Sequence, residues 1–295
     1  MATAPLSLAP SKRLRRRRRV ERTLAVLAVL AAVLAVSVLV LVTFAVLRRG
    51  AAAFSWDFFT KSQAVFGQSG GGIAPAIVGT IVLVFWATVL ALPLGVLVAI
   101  YVSEFARPRS ARLIRIMLDI LNGVPAIVIG IFVFGLLVVG NGQSGYYGSF
   151  ALAIMMIPMI SRATTEVLAL VPRSLREASL GLGISRWRTV VQIVLPAAVG
   201  GIITGTILAV ARIAGETAPL LFTSSIAANQ VNWDASQPLN SLTLTIFTYS
   251  ESPSAQDQQQ AWAAALLLML FVLIASVTAR SLFAWRQRRS GASVG

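Results

Sequence analysis

Six apolar stretches, each long enough to cross a bilayer, constrain this chain more than any other feature. They cover residues 24–47, 73–101, 116–139, 150–171, 199–222 and 261–283. A helix needs about 20 apolar residues to cross roughly 30 Å of hydrocarbon. Lipid offers no partners to backbone amides, so each stretch is expected to close its hydrogen bonds internally as a helix. With 57% hydrophobic and 12% charged residues and a mean hydropathy of +0.82, 295 residues hold too little polar surface to cover a soluble fold. The expected class is therefore all-α, a polytopic membrane protein with six transmembrane helices. The first stretch, 24 residues long, exceeds the ~7–15-residue core of a cleavable signal. It is expected to remain a membrane helix, although Ala51-Ala52-Ala53 resembles a small-residue cleavage site. Pro93 and Pro158 lie inside the second and fourth stretches and are expected to kink them.

Missing residue types exclude several chemistries. Without Cys or His, the chain has no disulfide, thiolate or zinc site built on those ligands, and no Cys–His or Ser–His–Asp arrangement. Neither Lys12 nor Lys61, its two lysines, stands in a phosphate-binding G-x-x-x-x-G-K-[ST] loop. Any ATP and Mg²⁺ are thus expected in a partner subunit, no cofactor or metal is expected in this chain, and no enzyme activity is assigned to it.

The net charge of +15 would suit nucleic acid, but its placement points to lipid. Eight of the 25 Lys and Arg precede the first stretch (Lys12, Arg13, Arg15 to Arg19 and Arg22), as in a cytoplasmic anchor on anionic headgroups. With the N-terminus inside, inner segments hold twenty Lys and Arg and outer segments three (Arg48, Arg49 and Lys61). The positive-inside rule then places both termini in the cytoplasm. The expected organisation is a basic tail (1–23), the first helix (24–47), an outer loop (48–72), a core (73–284) and a second tail (285–295). Within the core lie an inner loop at 172–196 and an outer loop at 223–260. That outer loop, rich in Ser, Thr, Asn and Gln without one Lys or Arg, reads either as a solvated connection or as a dock, with Trp233, Phe247 and Tyr249 as anchors.

The inner loop has a defined pattern. Pro172 suits a helix start, Ser174 and Glu177 are spaced as a capping box, and Gly181 and Gly183 favour a turn. A second helix follows, apolar at Ile184, Trp187, Val191 and Val194 with Val190 beside them, and polar at Ser185, Arg186, Arg188, Thr189 and Gln192. Pro196 is expected to end it. Periodicity alone fits an interfacial helix on lipid as well as a helix offered to a protein partner.

Two arginines fall within the spans. In the fifth, Gly201, Gly205, Ala209, Arg212 and Glu216 recur on one expected helix face. In the fourth, Arg162 and Glu166 form a second i, i+4 pair. At ~1.5 Å per residue, Arg212 lies about 20 Å from the inner surface and Arg162 about 18 Å from the outer one. Each pair could neutralise itself as structural glue. Alternatively, the guanidinium groups attract an anion and the carboxylates keep it from binding too tightly to leave.

The spelling of these segments carries a family resemblance. Glu177-Ala178-Ser179, three residues, Gly183, nine residues, and Ile193-Val194-Leu195-Pro196 resemble the EAA signature of ABC-type import permeases, with Ser179 replacing the third Ala. Ala211 to Thr223, Asn122 to Gly130, Gln237-Pro238 and Leu242 to Phe247 resemble the PstA-type permeases of bacterial phosphate ABC importers, over most of residues 73–283. The resemblance implies a MetI-like permease fold in the plasma membrane and a coupling loop that docks on an ATPase. The coupling residues it implies are Glu177, Ala178, Gly183, Trp187, Ile193, Leu195 and Pro196. It also implies a heterodimer with a sister permease, two ATP-binding subunits and an extracytoplasmic phosphate-binding protein. Arg162, Arg212 and Glu216 stand at charged positions of the family pattern, and Glu166 joins them in the expected substrate pathway. A permease for another oxyanion, such as sulfate or phosphonate, and a phosphate-sensing membrane subunit without a transport role remain alternatives. A secondary transporter or channel would leave the EAA-like loop without a purpose.

Overall fold

The computed structural model describes residues 12–63, 71–225 and 229–291, side chains excepted at 12, 14, 15, 19 and 282–291, and its regular structure there is helical. The chain divides into two units, residues 1–48 and 49–295. The described residues of the first lie in α1 (Lys12–Gly50), in which the basic segment from Lys12 and the apolar run form one unbroken helix.

The second unit starts with a 3₁₀ turn (Ala51–Ala53), α2 (Trp56–Thr60) and α3 (Ala74–Ile100), which a π-helical turn extends over Tyr101–Phe105. Next come α4 (Pro108–Gly123) and α5 (Ala126–Val133), the latter prolonged by a π turn (Phe134–Val138). Then follow α6 (Gly145–Leu170), α7 (Arg173–Gly181) and α8 (Arg186–Thr189), which passes through a π turn (Val190–Val194) into α9 (Leu195–Ile213). Last are α10 (Ala218–Thr223), α11 (Leu242–Ser250) and α12 (Ala255–Gly291). Five of the described helices are long and apolar enough to span, and a bent pair supplies the sixth candidate.

That bent pair changes the third span. Residues 116–139 read as one straight segment, but Pro108–Gly123 and Ala126–Val138 meet at 94°. Pro125 pushes Val124 into an extended conformation (φ −66°, ψ 128°), which stops α4. Residues 116–123 therefore belong to an amphipathic helix, with Ile116, Met117 and Ile120 exposed and Asp119 among them.

Two further boundaries differ from expectation, both at prolines. Pro196 does not end the inner helix: Arg186–Ile213 is one span of 28 residues. The π turn gives the Val190 carbonyl to Leu195 N–H, a spacing of five residues, so no α-helical bond is required of Pro196. At the other end, the fifth span stops at Ile213 instead of running to 222. Pro219 has no N–H for the Gly215 carbonyl and its ring would strike it, so the chain breaks before restarting as α10. By contrast, α3 runs through Pro93 and α6 through Pro158.

The core lies between α3 and α6, where Leu83, Ala87 and Ala91 pack with Leu152, Met156 and Ile160. Small residues allow the approach: a Cβ on Gly95 would lie 2.9 Å from Ile160 Cβ. The α9 stripe performs the same task against α6. A Cβ on Gly201 would meet the Val167 side chain, and one on Gly205 would lie 2.7 Å from Ala163 Cβ. These two contacts fix an antiparallel register between α6 and α9.

The polar outer loop is largely folded into the protein. Ala235, Leu239, Asn240 and Ser241 are buried. The Gln237 and Ala235 carbonyls accept from Gly145 N (2.9 Å) and Tyr146 N (2.8 Å), satisfying the open amides of the first turn of α6. Leu242 N donates to Thr80 Oγ1 at 2.8 Å, tying the loop to α3. Asp234 accepts from Ser236 N and Oγ, which holds its carboxyl below the usual range. Of the three aromatic residues read as docking anchors, Trp233 and Phe247 are exposed, but Tyr249 is core. It packs with Phe58, Ile73 and Ala261, and burial, with Asp257 as a smaller cause, pushes its hydroxyl far above the ordinary range.

Candidate functional site

Two groups of residues stand out, one within the spans and one at the α7–α8 turn. The first is built on the α6–α9 contact. Arg162 neighbours Ala163 on α6 and is exposed, as is Glu166. Arg162 Nε lies 3.7 Å from Glu166 Oε1, and its Nη1 lies 3.6 Å from Asp119 Oδ1. The expected i, i+4 pair is thus present, but Arg162 also bridges to α4. Sequence reasoning missed Asp119, because residue 119 was assigned to a straight apolar span. A single Asp in that stretch was the available signal.

Arg212 has different surroundings. It occupies the last turn of α9 and is exposed, at the helix end whose partial negative charge favours a cation. The break after Ile213 takes Glu216 off the helix, so Gly201, Gly205 and Ala209 share the expected face but Glu216 does not. Glu216 N donates to Ile213 O at 3.0 Å, and the Glu216 carbonyl accepts from Thr243 Oγ1 at 3.0 Å. Among the described residues, no carboxylate lies within 4.0 Å of Arg212, whereas Arg162 has two. The two arginines also sit at separate depths. Gly205 is level with Ala163, and Arg212 lies seven residues further along α9, about 10 Å at 1.5 Å per residue.

The second group is the helix–turn–helix of α7 and α8. Ser174 lies inside α7 and makes no capping bond; Pro172 is the N-cap. Gly183 turns the chain with φ +77°, a left-handed conformation that costs an L-residue roughly 1–2 kcal/mol. Ile184 N donates to Ser179 O at 3.2 Å across this turn, and Ser179 Oγ and Thr189 Oγ1 share a buried 2.8 Å hydrogen bond. Val190 and Val194 face inward, while Trp187, Leu180 and Leu182 are exposed, Leu182 by 81%. Glu177, Ala178 and Pro196 are exposed as well, and Ile193 and Leu195 are half-buried. The result is an internally bonded turn that presents apolar side chains outward.

Comparisons with known proteins agree with this architecture. Residues 91–289 match the model of the family described as "Binding-protein-dependent transport system inner membrane component". The chain is 41% identical over 249 residues to the phosphate transport system permease protein PstA of Yersinia pestis, covering 83% of this chain and 84% of that protein. A subunit from the crystal structure of a bacterial ABC transporter involved in the import of the acidic polysaccharide alginate superposes with a TM-score of 0.62 at 15% identity. That match covers 90% of this chain and 99% of the other. A chain from an inward-facing MetNI methionine ABC transporter superposes with a TM-score of 0.53 at 20% identity, covering 72% of this chain and 94% of that one.

Proposed function

Because the chain belongs to the binding-protein-dependent transport system inner membrane components, and among them to the PstA permeases, we propose that it is the transmembrane subunit through which an ATP-driven importer passes inorganic phosphate. It is a transport permease and not an enzyme. ATP and its Mg²⁺ bind in partner ATPase subunits, a sister permease forms the other half of the pathway, and an extracytoplasmic phosphate-binding protein delivers the anion at the outer face. Both termini lie in the cytoplasm in this reading, which the excess of Lys and Arg in the inner segments supports.

The observation that carries the reading is the contrast between the two intramembrane arginines. Arg162 faces two carboxylates, so its surroundings carry a net negative charge and do not attract an anion. Arg212 has none within 4.0 Å among the described residues, and an arginine facing lipid within a span is costly, by ~2.5–3.5 kcal/mol at the helix centre. Its face therefore lines a wetted, protein-walled path, where a free guanidinium can bind phosphate through bidentate hydrogen bonds. Roughly 10 Å further in, Arg162 offsets the charge of Asp119 and Glu166 and so limits their repulsion of the passing anion. Glu177, Ala178, Gly183 and Trp187 form the surface that docks on the ATPase, with Ile193, Leu195 and Pro196 carrying the motion into α9.

The purified complex in proteoliposomes is expected to accumulate labelled phosphate when supplied with ATP and binding protein. Excess unlabelled phosphate should compete, and sulfate or phosphonate should not. Equal competition by sulfate would reassign the substrate, and absence of uptake with intact ATPase binding would favour a sensing role. Gly183→Val forces a β-branched residue to φ +77°. It is expected to lower ATPase co-purification about tenfold while leaving the permease in the membrane.

A further inference from the structure

Glu104 and Arg176 form the most buried ion pair among the described residues, and neither entered the reading of the pathway or the docking surface. Glu104 lies in the π turn that ends α3 and is 8% exposed; Arg176 lies in α7. Arg176 Nη2 and Nε donate to Glu104 Oε1 at 2.8 and 3.2 Å. The same guanidinium donates to the Leu168 carbonyl through Nη2 (2.8 Å) and to the Val171 carbonyl through Nη1 (2.6 Å). One side chain thus joins α7 to the inner ends of α3 and α6, adding a donor to the Leu168 carbonyl, which also accepts from Val171 N, and occupying the Val171 carbonyl just beyond α6.

A second contact reaches α8 from the same π turn. The Phe105 ring lies 6.2 Å from that of Trp187, and the Arg186 guanidinium lies 5.7 Å from the Phe105 ring. With Ser179 and Thr189 bonding α7 to α8, the turn and the inner end of α3 form one body. From there α3 packs along α6, which carries Arg162.

We propose that the Glu104–Arg176 pair is a positioning link through which movement of the α7–α8 turn is imposed on α3 and α6, coupling ATP hydrolysis to opening of the anion path. The link rests on the transport reading above. A pair that served only for stability would be replaceable by apolar side chains of similar size, since a buried ion pair adds little net stability over well-packed apolar residues. A link needs directed bonds from one guanidinium on α7 to two other elements, which apolar groups do not supply.

The test uses the full transporter in proteoliposomes, reading phosphate taken up per ATP hydrolysed together with thermal stability. Glu104→Gln, which removes the charge at constant shape, is expected to lower that ratio at least fivefold, and Glu104→Asp to retain most of it. The double variant Glu104→Leu/Arg176→Met keeps the falsification open should the single variant assemble poorly. It is expected to recover stability while the uptake ratio stays low. An unchanged ratio in an assembled Glu104→Gln complex, or stability and ratio recovering together in the double variant, overturns the link. If the unaltered complex shows no ATP-driven phosphate uptake, the transport reading falls and takes the link with it.

Discussion

Arg212→Gln is expected to reduce ATP-driven phosphate uptake about ten- to a hundredfold, in a complex that assembles and hydrolyses ATP at its basal rate. A charge-assisted hydrogen bond to an anion contributes roughly 1.5–3 kcal/mol, which sets that range. Assembly should survive, because Arg212 is exposed and holds no carboxylate within 4.0 Å among the described residues. Arg162→Gln is a different experiment. It strips the counter-charge from Asp119 and Glu166, and the two carboxylates would then repel the anion. Uptake should fall, and neutralising both with Asp119→Asn and Glu166→Gln should largely restore it. No such rescue is expected for Arg212→Gln. Uptake within twofold of normal by an assembled Arg212→Gln complex would remove Arg212 from the pathway.

The second large effect concerns folding. Gly79→Ala is expected to destabilise the protein by roughly 1–3 kcal/mol, the usual cost of overpacking. The added methyl would overlap the Asn240 carbonyl, which is backbone and has little room to move. It would also disturb the neighbouring bond from Leu242 N to Thr80 Oγ1 and so loosen the outer loop from α3. Gly135→Ala is the matched control, with nothing within 4 Å of the added methyl and a gain in helix propensity. Thermal unfolding of the detergent-solubilised protein, followed by size-exclusion recovery, should show a clear fall for Gly79→Ala and none for Gly135→Ala. Equal midpoints for the two variants would show that the outer loop yields to the methyl.

Much of the site could be read from local pattern. The Arg162–Glu166 pair forms because i, i+4 residues meet on any helix, and the glycine turn forms because Gly183 alone tolerates its φ. Glu216 was misplaced for an equally local reason. Despite Arg212 and Glu216, residues 199–222 are apolar enough to read as one span, and hydropathy does not register the hydrogen bond that Pro219 lacks. Asp119 was hidden in the same way, since residues 116–139 are apolar enough to read as one span while Pro125 turns the chain by 94°.

By itself, the sequence determined the membrane class, the number of candidate spans and the side that its arginines favour, because hydrocarbon thickness and charge cost act on each segment separately. It also determined the α7–α8 turn, whose family-like spelling covers twenty consecutive residues. Only the tertiary structure decided which charges meet. Asp119 reaches Arg162 across 43 positions, and Glu104 reaches Arg176 across 72. The close approach of α9 to α6 decided the depth that separates Arg162 from Arg212. Contacts of that kind depend on which helices pack together, and on where prolines break them, so no single segment encodes them.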